Sequence, residues 1–231
     1  MAGQSIKKYQ EGHRKRACNK LINNGIDSLY DYEIVELLLF LIFKRKDVKP
    51  LAKELLKKFK TIDRILNANE QELLEIKGIG KSTITAIKII NSVTIAALKS
   101  KIMKKDSINC FEDVINYCKL NMKHLISEEL RVLFLNSINE ILIDEVLQKG
   151  DIESVNVYPR NITKRSLELG AKGIILIHNH PSGDPTPSAD DIYTTHLIQK
   201  ALKLFDIKLQ DHIIIGGDRF ISFSSLNLIN N

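Results

Sequence analysis

The sequence has little cysteine and no long apolar run. Its three cysteines, Cys18, Cys110 and Cys118, are odd in number and lack the spacing of a metal-binding cluster. This argues against a disulfide framework and for a reducing compartment. The first twenty residues contain no apolar core of the kind that a signal peptide needs. The longest apolar run, residues 34–43, is about half of the roughly 20 residues that a membrane span requires, so we expect a cytoplasmic protein without a membrane partner.

The sequence also lacks a Gly-x-x-x-x-Gly-Lys-[Ser/Thr] loop, an internal repeat and a low-complexity tract. The missing loop argues against a P-loop nucleotide hydrolase, because that loop holds the phosphates in this class of enzyme. Hydrophobic residues make up 44% of the chain and charged residues 27%, which is an ordinary globular composition. The 231 residues correspond to one large or two small domains at roughly 100–200 residues per domain.

Charge is unevenly divided between the two halves of the sequence. Residues 1–105 contain 22 Lys and Arg against 11 Asp and Glu, a net charge of +11, whereas residues 106–231 contain 12 against 17, a net charge of −5. An asymmetry of this size favours two domains with different partners. The basic half suits nucleic acid, although a solvated lysine-rich surface explains the same excess without any partner.

The first half of the sequence is predicted to be helical, because its apolar residues recur at helical spacing. Asp47, Asn69 and either Thr61 or Asp63 stand where helices would start, since their side chains can accept hydrogen bonds from first-turn N–H groups. The helical pattern gives way to a polar, basic stretch at residues 100–108. We therefore expect a linker there.

The second half alternates between strands and helices, which indicates a mixed α/β domain. Strands are predicted at 131–135, 141–148, 174–178, 210–215 and 220–223, and helices at 111–120, 159–169 and 188–205. We therefore divide the chain into an all-α domain at 1–99, a linker at 100–108 and an α/β domain at 109–231.

Two histidines stand at the end of a predicted buried strand. His178 and His180 are separated by one residue, so their side chains project to the same side of the strand. The Pro- and Gly-rich loop that follows allows the first turn of the next helix, with Asp191, to point back at them. Two imidazoles and one carboxylate leave a fourth tetrahedral position for water, which is the form of a catalytic zinc site rather than a closed structural one.

Each part of this pattern also has a simpler explanation. A His-x-His pair alone is weak evidence for a metal site. Ser188 and Asp191 fit a Ser-x-x-Asp capping box, which stabilises a helix start without any ion. The letters His-Asn-His suggest a nuclease, but in that nuclease family the three residues are dispersed rather than contiguous. A metal-dependent nuclease would also more often show carboxylate-rich Mg²⁺ ligation than two histidines and one aspartate.

The stretch as a whole resembles the JAMM motif of JAB/MPN-domain metalloproteases. That motif has His-x-His-Pro, a seven-residue spacer and Ser-x-x-Asp, and His178, His180, Ser188 and Asp191 stand at the matching positions. The longer sequence HNHPSGDPTPS is similar to the RadC-like, UPF0758-type branch of this superfamily, and the resemblance covers essentially the whole chain. It implies one Zn²⁺ per chain, held by the two histidines and the aspartate. It also implies a JAB/MPN-type, cytidine-deaminase-like sheet flanked by helices.

The same resemblance implies an upstream glutamate that holds the attacking water, accepts its proton and passes it to the leaving amine. Glu145 fits this role best, because it lies on a predicted strand followed by a short polar segment that ends in glycine. Glu140, Asp144 and Glu153 compete with it, and strand alternation places Asp144 and Glu145 on opposite faces. With zinc and Ser188 stabilising the oxyanion, the implied reaction is hydrolysis of a peptide or isopeptide-type amide bond.

A second motif lies in the basic half. The segment Lys77-Gly78-Ile79-Gly80-Lys81 separates two predicted helices and resembles a helix-hairpin-helix. Its glycines let the backbone approach a phosphate, and N–H groups at the start of the second helix can donate to phosphate oxygens. Such contacts do not distinguish base sequence, so the expected partner is non-specific DNA. A plain turn that binds nothing is the alternative.

The leading hypothesis combines the two motifs in a zinc-dependent metallohydrolase with an amino-terminal DNA-binding domain. RadC-like proteins carry a DNA-repair label, so the resemblance implies a role in repair or recombination. The first alternative is a non-catalytic DNA-repair accessory protein with a structural metal site, and the second is a metal-dependent nuclease. The sequence identifies no peptide or protein substrate.

Overall fold

The computed structural model describes residues 2–44, 46–103, 111–150 and 159–229, with side chains from residue 12 onward. The chain forms two compact units, Met1–Thr94 and Ile95–Asn231. None of the described helices is long and apolar enough to cross a membrane.

The amino-terminal unit is helical, as predicted. Its elements are α1 (Ala2–Asn24), a 3-10 turn (Ile26–Ser28), α2 (Asp31–Phe40), α3 (Lys49–Phe59), α4 (Ile62–Asn67), α5 (Glu70–Leu74) and the first part of α6 (Lys81–Met103). Apolar side chains that recur at helical spacing form its core, among them Val35, Leu39, Leu51, Leu55, Ile65, Leu73 and Ile87. The helices therefore pack through the faces that their apolar periodicity defines.

Two of the predicted helix caps are present and one is displaced. The Thr61 hydroxyl accepts a hydrogen bond from the Arg64 N–H at 3.2 Å, so Thr61 rather than Asp63 starts α4. Asn69 accepts one from the Glu72 N–H at 2.8 Å. Asp47 lies two residues before α3 and accepts from the backbone N–H of its first residue at 3.0 Å. The helix begins later than predicted because a proline occupies its first turn, where a missing N–H is tolerated.

The predicted linker begins inside a helix. Residues 100–103 continue α6, and the boundary between the two units falls earlier, between Thr94 and Ile95. The helix extends because Ile102 is buried in the core of the carboxy-terminal unit and Lys101 pairs with Asp113 at 2.7 Å. The remaining linker residues, 104–108, lie outside the described residues.

The carboxy-terminal unit is a mixed α/β domain, and its strands and helices agree with the predicted ones to within two residues at each end. Its elements after α6 are α7 (Phe111–Met122), β1 (Glu129–Leu135), β2 (Ile141–Lys149), α8 (Pro159–Glu168), β3 (Gly173–Asn179), α9 (Ala189–Lys203), β4 (Lys208–Gly216) and β5 (Arg219–Ser222). The strands form one sheet in the order β2-β1-β3-β4-β5. Only β3 and β4 are parallel among these neighbours.

Helices cover both faces of this sheet. The end of α6 and α7 pack on one face, together with Leu133 and Ile177 of the sheet. Helices α8 and α9 pack on the other face, against Val132 and Leu176. All seven residues of β3 are buried, which explains why the central strand has a nearly continuous apolar sequence. Strand alternation then directs His178, two residues after Leu176, toward the face that carries α8 and α9.

Candidate metal centre

The two histidines of the motif meet where β3 ends. His178 is 2% exposed, and His180 follows the strand, with its backbone N–H donating to the carbonyl of Ile215 on β4 at 2.8 Å. Because β4 holds the chain in an extended path, both rings remain on one side. Their Nε2 atoms lie 2.9 Å apart.

The loop after the histidines turns back over the end of β4. A Cβ atom on Gly216, the last residue of β4, would lie 2.4 Å from the backbone nitrogen of Pro185, so only glycine permits this approach. Gly183 turns the loop with a φ of 81°, a conformation that glycine adopts without strain. The loop therefore reaches α9 at the point where the helix starts beside the histidines.

Asp191 serves as a helix cap and faces the histidines at the same time. Its Oδ2 atom accepts hydrogen bonds from the backbone N–H and the hydroxyl of Ser188, both at 2.7 Å. Its own N–H donates to the Ser188 hydroxyl at 3.1 Å. Asp191 Oδ1 lies 3.3 Å from His178 Nε2, and Oδ2 lies 3.5 Å from His180 Nε2. The capping box is therefore present and holds the carboxylate in place for a metal.

The residues present fit a zinc ion. His178, His180 and Asp191, called here the His–His–Asp group, are the one cluster of three or more such donors found among the described residues. The two Nε2 atoms are 2.9 Å apart, Asp191 Oδ1 is 3.3 Å from His178 Nε2, and Asp191 Oδ2 is 3.5 Å from His180 Nε2. Ligands of a tetrahedral zinc at bond lengths of 2.0–2.1 Å would be separated by about 3.3 Å. These distances are close to that spacing, so the group suits a tetrahedral zinc.

The ionisation of the group also suits a cation. Burial lowers the pKa of His178 to about 4, so this ring is neutral at neutral pH. Burial alone would raise the pKa of Asp191, but hydrogen bonds from His180 and Ser188, and the charge that His178 gains in acid, lower it below its usual range. The pKa of half-buried His180 is raised, first by its hydrogen bond to Asp191. The cluster thus holds an ionised carboxylate that a metal cation would neutralise.

Glu145, the predicted proton-transferring residue, does not lie with this group. It is opposite Val132 of β1, which is opposite Leu176 of β3. The Cα of Glu145 is therefore two strands away from that of His178, roughly 10 Å across the sheet. It is also displaced by two residues, roughly 7 Å, along the strand direction. Arg165 of α8 binds the Glu145 carboxylate through Nε at 2.8 Å and Nη2 at 3.3 Å. The carboxylate is on the correct face of the sheet but paired elsewhere.

The competing carboxylates are also engaged elsewhere. Asp144 is buried on the opposite face, as strand alternation predicted, and binds Arg131 at 2.7 and 2.8 Å. Glu140 accepts a hydrogen bond from the Asn136 amide at 2.6 Å within a turn. Glu153 lies outside the described residues.

A carboxylate outside the sequence motif also lies near the histidines. Glu128 directly precedes β1, and Leu130, two residues later, is paired with His178. Continuing this antiparallel register places Glu128 beside His180 and on the same face of the sheet. The charge of Glu128 is among the causes that raise the pKa of His180. The position of Glu128 before a predicted strand is visible in the sequence. Its proximity to His180 depends on the pairing of β1 with β3, which local sequence patterns do not reveal.

Asn179, the residue between the two histidines, fixes the chain around Glu128. Its Oδ1 atom accepts a hydrogen bond from the backbone N–H of Glu129 at 2.9 Å. Its Nδ2 atom donates to the carbonyl of Ser127 at 3.1 Å. The two residues on either side of Glu128 are thus held by the same side chain, which leaves Glu128 little freedom to move away from His180.

The predicted DNA-contacting segment is a turn between α5 and α6. Gly78 has a φ of 100°, Ile79 is buried, and Lys77 and Lys81 are exposed. The carbonyl of Gly80 accepts hydrogen bonds from the N–H groups of residues 83 and 84 at 2.9 and 3.1 Å, so this glycine starts the long helix α6. The segment is therefore a turn between two helices, and its assignment as a helix-hairpin-helix stays a prediction.

The fold and the His–His–Asp group of the carboxy-terminal unit define the class of protein, a JAB domain. Residues 108–228 match the family model of the RadC-like JAB domain, and residues 6–85 match that of the UPF0758 N-terminal region. A UPF0758 protein of Ruegeria pomeroyi is 40% identical over 215 residues, which cover 93% of this chain and 96% of that protein. The chain therefore belongs to the UPF0758 family of RadC-like proteins, and the resemblance noted from the sequence is confirmed.

Proposed function

We propose that this protein is a zinc-dependent JAMM-type hydrolase that cleaves peptide or isopeptide-type amide bonds. The observation that carries the proposal is the closeness of the donor atoms: the two histidine Nε2 atoms lie 2.9 Å apart, and Asp191 places Oδ1 3.3 Å from His178 Nε2 and Oδ2 3.5 Å from His180 Nε2. The side chains of His180 and Asp191 are 15% and 11% exposed, whereas that of His178 is only 2% exposed. This gradient means that a metal held by the three residues would be open to water and substrate on the side of His180 and Asp191.

Glu128 is the proposed proton-transferring residue, in place of Glu145. Zinc in a three-ligand site supplies Lewis-acid polarisation of a carbonyl and a water that is nucleophilic near neutral pH. Glu128 accepts the proton of the attacking water and returns it to the leaving nitrogen. The water oxygen first bonds to the amide carbon, whose carbonyl oxygen takes the negative charge, and the C–N bond then breaks to give a carboxylic acid and an amine. The position of Glu128 beside His180 supports this assignment.

Ser188 has two proposed roles. Its hydroxyl donates to Asp191 Oδ2 at 2.7 Å, which supports a role in orienting the ligand carboxylate. Stabilisation of the oxyanion, the role implied by the family motif, would require the hydroxyl to turn from Asp191 toward the substrate carbonyl. Ser188→Ala removes both contributions.

The hydrolase proposal is tested with zinc-loaded full-length protein and a library of peptides and ε-lysyl isopeptides, with new amino groups detected by mass spectrometry. Wild type cleaves the library in a zinc-dependent manner. Glu128→Gln is slower by roughly 100- to 10 000-fold, the usual contribution of a general acid–base residue, whereas the matched control Glu145→Gln stays near wild type. Absence of zinc-dependent cleavage, or an equal loss in both variants, would contradict the proposal.

We also propose that the amino-terminal unit binds DNA without sequence preference. The exposed glycines at 78 and 80 beside the start of α6, together with exposed Lys77 and Lys81, support phosphate contacts. A DNA-bound hydrolase would act on proteins near DNA, which is compatible with a role in repair or recombination.

Duplex binding by the full chain, followed by fluorescence anisotropy over a range of salt concentrations, tests this second proposal. Lys77→Ala/Lys81→Ala lowers affinity and reduces the slope of log K against log salt by about two, because each lysine neutralises one phosphate. The control Lys200→Ala/Lys203→Ala removes the same charge from α9 and leaves binding unchanged. Equal effects of the two double variants would contradict a hairpin site.

A further inference from the structure

A chain of short hydrogen-bond contacts connects helix α9 to a ligand histidine. Thr195 Oγ1 lies 2.5 Å from the carbonyl oxygen of Asp191 and 2.6 Å from His212 Nδ1. His212 Nε2 lies 2.7 Å from His178 Nδ1. Thr195, His212 and His178 are 1%, 5% and 2% exposed. Water therefore has little access to these contacts, and each proton must be shared within the chain.

The backbone carbonyl of Asp191 determines which atom donates in each of these hydrogen bonds. A carbonyl oxygen only accepts, and a hydroxyl carries one proton. The Thr195 hydroxyl therefore donates to the backbone carbonyl of Asp191 and accepts from the Nδ1–H of His212. His212 then presents an unprotonated Nε2, which accepts the Nδ1–H of His178. The proton of His178 is thereby confined to Nδ1. Its Nε2 atom, which faces Asp191 and His180, keeps the lone pair that a metal requires.

The reverse arrangement would block the site. If Thr195 donated to His212 Nδ1, His212 would donate through Nε2 to His178, and the proton of His178 would lie on Nε2. The Thr195 oxygen would also face the Asp191 carbonyl oxygen at 2.5 Å without a hydrogen between them, which is strongly unfavourable. The hydroxyl therefore distinguishes a metal-binding tautomer from one that cannot bind.

We propose that Thr195 and His212 are positioning residues that hold His178 in its metal-binding tautomer. The inference rests on the proposed metal centre. Thr195 lies one helical turn after Asp191 on α9, so the helix that supplies the carboxylate ligand also orients the proton of a histidine ligand. Partners outside the ligand set that fix a histidine tautomer typically change metal affinity 10- to 100-fold when removed.

His180 provides an internal control. Its Nδ1 atom donates directly to the carbonyl of Asp184 at 2.8 Å, so a backbone acceptor sets its tautomer without a relay. Substitutions of Thr195 should change the tautomer of His178 and leave that of His180 unchanged. A general disturbance of the site would change both rings.

The test measures ring tautomers in metal-free, ¹⁵N-histidine-labelled protein by NMR, and zinc affinity by chelator competition. In wild type, His178 and His212 carry their single proton on Nδ1, and the Nδ1 of His180 is protonated as well. Thr195→Val keeps the branched shape but removes the hydroxyl, so His178 gains Nε2–H population and zinc binds roughly 10- to 100-fold more weakly. Thr195→Ser restores both properties, and Thr195→Ala repeats the loss if valine perturbs the fold.

An unchanged His178 tautomer in both Thr195→Val and Thr195→Ala would overturn the proposed role of Thr195 and His212. A Thr195→Ser variant that binds zinc as weakly as Thr195→Val would also overturn it. Failure of the wild type to bind zinc would instead overturn the proposed function. The ring tautomers of the metal-free protein would then still show whether Thr195 and His212 fix the tautomer of His178. The two failures are therefore distinguishable.

Discussion

The side chain of Asn179 accepts a hydrogen bond from the backbone N–H of Glu129 at 2.9 Å. Through this bond, the residue between His178 and His180 is joined to the start of β1, directly after Glu128. The strand that positions the metal ligands thus also positions the proposed proton-transferring carboxylate.

Asn179→Ala should impair hydrolysis more than zinc binding. The substitution removes both bonds that hold the neighbours of Glu128, and a displacement of about 1 Å of a catalytic group can reduce rate roughly 100-fold. His178 and His180 keep their own contacts, so zinc affinity should change little. Parallel measurements of hydrolysis and chelator competition check this. A larger loss of zinc affinity than of activity would count against this positioning role of Asn179.

Gly216→Ala should weaken zinc binding through the loop after the histidines. A Cβ at this position would lie 2.4 Å from the Pro185 nitrogen, so the loop must move, and α9 with Asp191 would shift away from the histidines. Overpacking of this kind typically costs about 1–3 kcal/mol of stability. Denaturant unfolding and zinc affinity measure both effects.

Gly217→Asn is the matched control for that substitution. A Cβ at Gly217 meets nothing closer than 4.0 Å, and asparagine tolerates its positive φ better than most residues. This variant should keep near-wild-type zinc affinity. Similar losses of zinc affinity in both variants would show that any substitution in this turn weakens binding, whether or not it disturbs the contact between Gly216 and Pro185.

Asp144→Asn should strongly destabilise the carboxy-terminal unit. The carboxylate is fully buried and is paired with Lys99 at 2.8 Å and Arg131 at 2.7 Å. Removing one member of a buried ion pair leaves the other charges uncompensated, which costs about 3–5 kcal/mol. Denaturant unfolding measures this. Glu168→Gln, which alters an exposed pair with Arg165 at 3.2 Å, should change stability by less than about 1 kcal/mol.

The same carboxylate predicts an acid-dependent loss of stability. Burial alone would raise the pKa of Asp144, but Lys99, Tyr117 and Arg131 together lower it below its usual value. An acid whose folded-state pKa is depressed stabilises the fold above its unfolded value of about 3.9 and loses this contribution as pH falls through the folded value. Unfolding free energy should therefore fall more steeply below about pH 4 in wild type than in Asp144→Asn. Identical pH profiles would contradict the assignment.

The candidate metal ligands could be predicted from sequence because they are local. His178 and Asp191 are thirteen residues apart, and the strand, the loop and the capping box between them are all encoded in that segment. In the sequence, a helix cap and a metal ligand are alternative explanations of Asp191. In the structure, the same carboxylate caps α9 and faces both histidines, so the two explanations are not exclusive.

Glu128 could not be found in the same way, because it reaches the site through strand pairing. Alternation along β2 correctly gives the face on which Glu145 lies, but not the number of strands between it and His178. The pairing of Leu130 with His178 joins residues 48 positions apart, and no local periodicity encodes that contact. Nor does the sequence reveal that Arg165 binds Glu145.

Metal content of the purified protein tests the central claim most directly. Elemental analysis should find one zinc per chain in wild type, in Glu128→Gln and in Glu145→Gln, and none in His178→Ala/His180→Ala. This pattern would place both glutamates outside the ligand set and the two histidines within it. Absence of zinc from the wild type after reconstitution, or its retention in the double histidine variant, would contradict the account.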